Sequence, residues 1–154
     1  MRLAIGSDER TSLTEEVVEY LRSRGHAVEV RGPSTWPEVA REVAEAVASG
    51  DCDQGVLFCW TGTGVSIAAN KVRGVRAALC TDAETCRGAR RWNDANVLCM
   101  SLRLISGTVA REILDAWFET PADESERQNI QRVDDLSRWC GRMPAPPATS
   151  DQGS

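Results

Sequence analysis

A cysteine, two threonines, two glycines and a serine stand within eight residues, Cys59-Trp60-Thr61-Gly62-Thr63-Gly64-Val65-Ser66. The glycines permit a sharp turn, and a helix starting there presents unpaired N–H groups toward it. Such a terminus attracts negative charge, whether a phosphate or an oxyanion formed during reaction. Cys59, just ahead, lies in the same field, which favours its thiolate. A cysteine beside an oxyanion cradle suits two roles, nucleophile or proton-abstracting base. A nucleophilic cysteine usually wants a histidine, and the single one, His26, sits in a different loop, so the base role is preferred. The plainer alternative is that Cys59 ends a buried strand and the glycines make a tight turn, and a Gly-x-Gly after a strand does not decide between the two. Gly62-Thr63-Gly64-Val65-Ser66-Ile67 lacks the third glycine of a dinucleotide fingerprint. No Gly-Lys-Ser/Thr follows, which excludes the phosphate loop of nucleotide hydrolases.

The elements that must position this segment are readable from hydrophobic period. Arg2–Gly6, Ala27–Val30, Gly55–Cys59, Val75–Leu79 and Asn96–Met100 read as five strands. Between and after them run helices: one opened by a capping box at Ser12-Leu13-Thr14-Glu15 with Leu13, Val17 and Leu21 on its buried stripe, one capped at Thr35-Trp36-Pro37-Glu38, the small-residue helix through Asn70, and one from Ala83 to Trp92. Val109, Ile113, Leu114 and Trp117 mark a fifth helix, and Ile130, Val133 and Leu136 a sixth, preceded by the acidic run Asp123–Glu126 suited to a first turn. Strands alternating with helices predict an α/β fold, a Rossmann-like, doubly wound five-stranded parallel sheet with helices on both faces. With the common order 2-1-3-4-5, the crevice lies between strands one and three, where Ser7-Asp8-Glu9 and the Cys59–Gly64 turn come together.

Composition bounds the function. The 154 residues are one domain's worth, 42% apolar and 27% charged, with net charge −5. That charge argues against a nucleic-acid partner, no apolar run is long enough for a membrane span, and the N-terminus does not read as a signal peptide, so cytoplasmic localisation is expected. One histidine excludes a two-histidine metal site within one chain, and no metal is expected. Six cysteines (Cys52, Cys59, Cys80, Cys86, Cys99, Cys140) include no Cys-x-x-Cys pair and read as free thiols, mostly packing. His26 reads as surface or helix-capping, Arg87, Arg90 and Arg91 as a solvated helix face, and Trp117 and Trp139 as core. A single domain over residues 1–140 is expected, with a disordered tail over 141–154.

Cys59 through Lys71 resembles the signature of the ribose-5-phosphate isomerase B family, which includes galactose-6-phosphate isomerase subunits. Ile5–Asp8, Gly74–Cys80, Asn93–Leu98, Asp115–Trp117 and Arg132-Val133 extend the resemblance from residue 2 to about 136. It implies a homodimer or tetramer with sites at the subunit interface, and a cofactor-free exchange of an aldose phosphate and its ketose through an enediolate. Cys59 would be the base between C1 and C2, with Thr61 assisting at the sugar oxygens. Backbone amides of Gly62, Thr63, Gly64 and on to Ser66 would hold the enediolate oxygen. Asp8 and Asn93 match residues that hold sugar hydroxyls, and Arg132 a phosphate-binding arginine.

The departures fall on functional positions. Glu9 stands where the family has a phosphate-side histidine, and Trp92 where it has the ring-opening histidine. Gln128 and Asn129 replace an arginine and another histidine, and Trp60 a glycine. Trp60 and Trp92 are read as adding aromatic area to the cleft. The set describes a retained proton-transfer centre with a rebuilt substrate end, and the partner expected is a sugar or sugar phosphate. Two alternatives stay open: an isomerase or epimerase of an unphosphorylated sugar, and a non-catalytic homologue binding a ligand through its tryptophans.

Overall fold

The computed structural model describes residues 1–139, with side chains as far as residue 136. The expectations for Cys140, the Trp139 side chain and the tail from residue 141 lie outside the described residues. The elements run β1 (Arg2–Ser7), α1 (Ser12–Ser23), β2 (Ala27–Arg31), α2 (Trp36–Ala48), β3 (Gln54–Cys59), α3 (Thr63–Ala69), β4 (Ala77–Leu79), α4 (Ala83–Asn93), β5 (Val97–Ser101), α5 (Gly107–Glu119) and α6 (Arg127–Trp139). The acidic run forms its own short 3-10 turn, Glu124–Glu126, before α6 begins. No helix among the described residues is long and apolar enough to cross a membrane.

All five strands are parallel, in the order β2-β1-β3-β5-β4. The expected order 2-1-3-4-5 is therefore corrected at its far end. β5 is buried at every position and suits a central place, whereas β4 is three half-buried residues and suits an edge. The reversal of strand order still falls between β1 and β3, so the expected crevice is unmoved.

Alternation along the central strands divides the core in two. Leu3, Ile5, Val56, Phe58, Leu98 and Met100 face α1, α4 and α5. Ala4, Leu57, Cys59, Val97 and Cys99 face α2 and α3. The α1 stripe is buried at Leu13, Val17 and Leu21 as the spacing requires, but the capping box sits one residue earlier: Thr11 caps and Thr14 reciprocates. Thr11 wins because its backbone is extended while Ser12 is already helical.

The five described cysteines are free and buried. Burial pushes the Cys99 thiol up, and a hydrogen bond with Cys80 together with burial pushes Cys86 up, as suits packing groups. Trp117 is buried with its indole N–H on Gln54 Oε1 at 2.8 Å. Arg90 corrects the solvated-face reading: its guanidinium lies over the Trp117 ring, pairs with Asp94 at 2.9 Å and donates to the Ala95 carbonyl at 2.6 Å.

His26 is half-buried, and its amide caps the end of α1 on the Leu21 carbonyl at 3.2 Å; its ring stacks on Phe118 with centroids 4.6 Å apart and its Nδ1 is buried without a partner. Burial first, then the positive charges of the N-terminus and Arg24, hold its pKa below 6.5. The folded state therefore disfavours the imidazolium. Its contribution to stability is whole above 6.5 and declines as pH falls below that value, because the unfolded chain takes the proton first. Thermal melting followed from about pH 8 to pH 5 should fall on the acid side, and His26→Phe should flatten that part of the curve. An unchanged profile in the variant would assign the acid sensitivity elsewhere.

Candidate active site

β1 and β3 run side by side, with Ser7 paired to Phe58. Continuing that register puts Asp8 beside Cys59 at the carboxyl ends of the two strands. Cys59 is 5% exposed, the last residue of a strand buried from Gly55 onward. One oxygen of Asp8, Oδ1, is buried with no hydrogen-bond partner, so it is a strong acceptor left open.

The turn after Cys59 is fixed from the neighbouring strand's exit loop. Leu102 N donates to the Cys59 carbonyl and Arg103 N to the Trp60 carbonyl, each at 3.0 Å. Ser101 Oγ donates to the same Trp60 carbonyl at 2.8 Å. Gly62 then caps α3 with φ 76°, and a Cβ there would stand 2.6 Å from Leu79 Cδ1 and 3.0 Å from the Met100 carbonyl carbon. Both the left-handed backbone and the closeness demand glycine. Beyond it, the amides of Thr63, Gly64 and Val65 form the first turn of α3 and have no acceptor within the helix.

Ser66 differs from the others in the expected set. Its amide donates to the Gly62 carbonyl at 3.3 Å. The cradle therefore stops at Val65. Thr61 and Thr63 share a hydrogen bond at 2.6 Å between their hydroxyls. Trp60 is 60% exposed beside this turn.

Trp36, which the sequence offered only as a capping position, belongs to this neighbourhood. It opens α2, is 44% exposed, and lies on Gly64 so closely that a Cβ there would be 3.0 Å from its ring. An exposed tryptophan just after Gly32-Pro33 is the signal that could have marked it.

Glu9 is exposed, its amide on Ser7 Oγ at 3.3 Å. With Arg10, Arg31 and Val18 it lines a groove of about 320 Å³ between α1 and β2. Cys59 does not line that groove.

Trp92, Asn93 and Arg132 are not brought to Cys59 by their own chain. α4 starts beyond the carboxyl end of β4 and runs back, so Trp92 and Asn93 finish near the amino ends of the strands. Trp92 is 54% exposed, leans on Gly88, and with Asn93, Arg76, Asn129 and Ile130 lines a cleft of about 470 Å³. Arg132 is exposed on α6.

Arg76, 16% exposed, holds this second cluster together. Its Nε donates to the Asp94 carbonyl at 2.9 Å, one Nη pairs with the Asp94 carboxylate at 3.3 Å, and the other with Asp134 at 3.0 Å. Asp94 sits at φ 43°, capping α4 one residue after Asn93. Removing the guanidinium takes away the donor that Asp94 and Asp134 share, while Arg90 still pairs with Asp94, and Arg76→Ala is expected to cost about 1.5–3 kcal/mol in denaturant unfolding. A loss under about 1 kcal/mol would reduce the cluster to an ordinary surface network.

Comparison with known proteins agrees with this architecture. The family described as Ribose/Galactose Isomerase matches residues 3–136. Ribose-5-phosphate isomerase B of Escherichia coli (strain K12) is 39% identical over 132 residues, covering 81% of this chain and 86% of that protein. A galactose-6-phosphate isomerase subunit of Clostridium acetobutylicum is 36% identical over 145 residues, 88% of this chain and 83% of that one. Among solved structures, ribose-5-phosphate isomerase B of Clostridium thermocellum superposes with a TM-score of 0.87 at 35% identity, over 91% of this chain and 99% of its own. With the family model matching nearly all the described residues and a fold superposing on that of its members, the chain belongs to the ribose/galactose isomerase family.

Proposed function

We propose that this protein interconverts an aldose phosphate and its ketose through an enediolate, with Cys59 carrying the proton between C1 and C2. The observation that carries the reading is the juxtaposition of Cys59, the open oxygen of Asp8 and the three unpaired amides at the start of α3. Asp8 accepts a sugar hydroxyl. The amides of Thr63, Gly64 and Val65 take the negative charge that develops on the enediolate oxygen, where fixed dipoles act without reorganising. Thr61, oriented by Thr63, exchanges hydrogen bonds with the sugar oxygens. No cofactor enters the proton balance.

The site is completed by a second copy of the chain. Trp92, Asn93 and Arg132 lie near the amino ends of the strands, so only the partner in a homodimer can bring them to the Cys59 end. There Asn93 holds a hydroxyl and Arg132 the phosphate. Proton NMR of the protein with a sugar phosphate in D₂O tests the chemistry: ketose formation and deuterium entry at the exchanging carbon are expected. Absence of both across sugar phosphates of different length would reject it.

Mixing Cys59→Ala and Asn93→Ala chains tests the shared site. Each variant alone should be inactive, and a denatured and refolded equal mixture should regain about a quarter of wild-type activity. Half the dimers are then mixed and each carries one intact site. No recovery would place both residues in one chain's site.

A further inference from the structure

Family membership leaves the sugar open. If the protein is the isomerase proposed above, on which this inference rests, the groups able to move protons near Cys59 narrow the choice. At the carboxyl ends of β1 and β3 stand the Cys59 thiol, the Asp8 carboxylate and the hydroxyls of Ser7, Thr61 and Thr63, while the exposed Glu9 carboxylate lines the groove between α1 and β2, which Cys59 does not. Three of these are already engaged: Ser7 Oγ accepts the Glu9 amide at 3.3 Å, and the two threonines bond each other at 2.6 Å. The chain's one imidazole is elsewhere. His26 follows α1 and precedes β2, its amide on the Leu21 carbonyl at 3.2 Å and its ring against Phe118, at the amino ends of the strands. A second copy brings an indole, an amide and a guanidinium, none of which exchanges a proton near neutral pH.

Pentose and hexose phosphates rest in water chiefly as cyclic hemiacetals. Opening one takes the anomeric hydroxyl proton to a base and delivers a proton to the ring oxygen. Positioned acid–base help is worth about 10²–10⁴-fold for such a step and works best with a pKa near the working pH. Cys59 is committed to the C1–C2 transfer. An aldotetrose 4-phosphate needs no opening: its O4 is esterified, and closure through O3 would make a four-membered ring. The aromatic surroundings suit a short chain as well. The Trp36 ring lies on Gly64, and the large indole of Trp60 directly follows Cys59.

We infer that the substrate of this site is an open-chain four-carbon sugar phosphate, an aldotetrose 4-phosphate exchanged with its 2-ketose. The C2–H bond breaks and its proton passes through Cys59 to C1, while the O2 hydroxyl proton moves to O1. Aldehyde becomes alcohol as alcohol becomes ketone, so no oxidant or reductant enters.

The test uses the full chain with dilute D-erythrose 4-phosphate and, separately, D-ribose 5-phosphate. kcat/KM for the tetrose is expected to exceed that for the pentose by at least about 100-fold. Raising the protein concentration should keep tetrose consumption proportional to protein, whereas pentose consumption should level off at the uncatalysed ring-opening rate. Pentose turnover that stays proportional to protein, or a kcat/KM within tenfold of the tetrose value, would overturn the inference and leave the isomerase reading standing. No turnover of either sugar would also overturn the inference, and the same silence with hexose 6-phosphates, with no deuterium entering any of them from D₂O, would remove the isomerase reading itself.

Discussion

Cys59→Ala should lose roughly 10²–10⁴-fold in kcat while the fold persists, because the group that lifts a proton from carbon is gone and nothing beside it can replace it. Asp8 is adjacent but is held to a hydroxyl-binding role by its buried, open oxygen, and Thr61 and Thr63 carry hydroxyls that do not accept a carbon-bound proton near neutral pH. The side chain is small and buried among Leu57, Val65 and Cys99 of the α2–α3 side of the core, so its truncation should cost no more than about 1–2 kcal/mol. Cys59→Ser keeps the size and should be similarly inactive. Deuterium exchange at C2 is the sharper readout, since it follows the proton rather than the product. Wild-type exchange in Cys59→Ala would move the base to another residue.

Gly62→Ala should be the most damaging substitution of a non-reacting residue at the site. At φ 76° an alanine carries a left-handed backbone penalty of about 1–2 kcal/mol. Its Cβ would also press on Leu79 at 2.6 Å and on the Met100 backbone at 3.0 Å, which adds about 1–3 kcal/mol. A loss near 3 kcal/mol is expected, or roughly 10 °C in melting temperature for a chain of this size. Gly25→Ala is the internal control, because Gly25 has φ 86° with nothing within 4 Å of the added carbon. It should show the backbone penalty alone and keep full activity. Equal effects at the two glycines would mean that the close approach of β5 to the turn is not what fixes the cradle.

Local regularities were legible in the sequence wherever they depend on near neighbours. Leu13, Val17 and Leu21 repeat every fourth residue and are buried on one face of α1. The apolar run ending at Cys59 is a strand buried on both sides. The crevice between β1 and β3 follows from connection order, and it is where the reactive segment lies. What stayed illegible depends on distant parts of the chain. Arg90 reads as solvated beside Arg87 and Arg91, but Trp117, 27 residues on, covers it, as the pairing distances from Asp94 and Ala95 confirm. Ser66 stands in a contiguous motif, yet the helix that starts at Thr63 already uses its amide on the Gly62 carbonyl. Trp92 and Asn93 match site positions by resemblance, while the direction of α4 carries them away from their own Cys59.

The strand order bears on how the protein comes into being. β5 is the last strand to be synthesised and stands between two made earlier. Until it exists, β4 has no strand to pair with, and the carbonyls of Cys59 and Trp60 lack the donors supplied by residues 101–103. A nascent chain therefore carries the whole reactive motif well before it has the means to shape it. Closing the loop between Trp60 and Ser101, 41 residues apart, is a non-local step of the kind that slows folding. Catalytic competence therefore waits on the docking of β5, and the buried thiols of Cys59 and Cys99 reach their final surroundings only with that pairing.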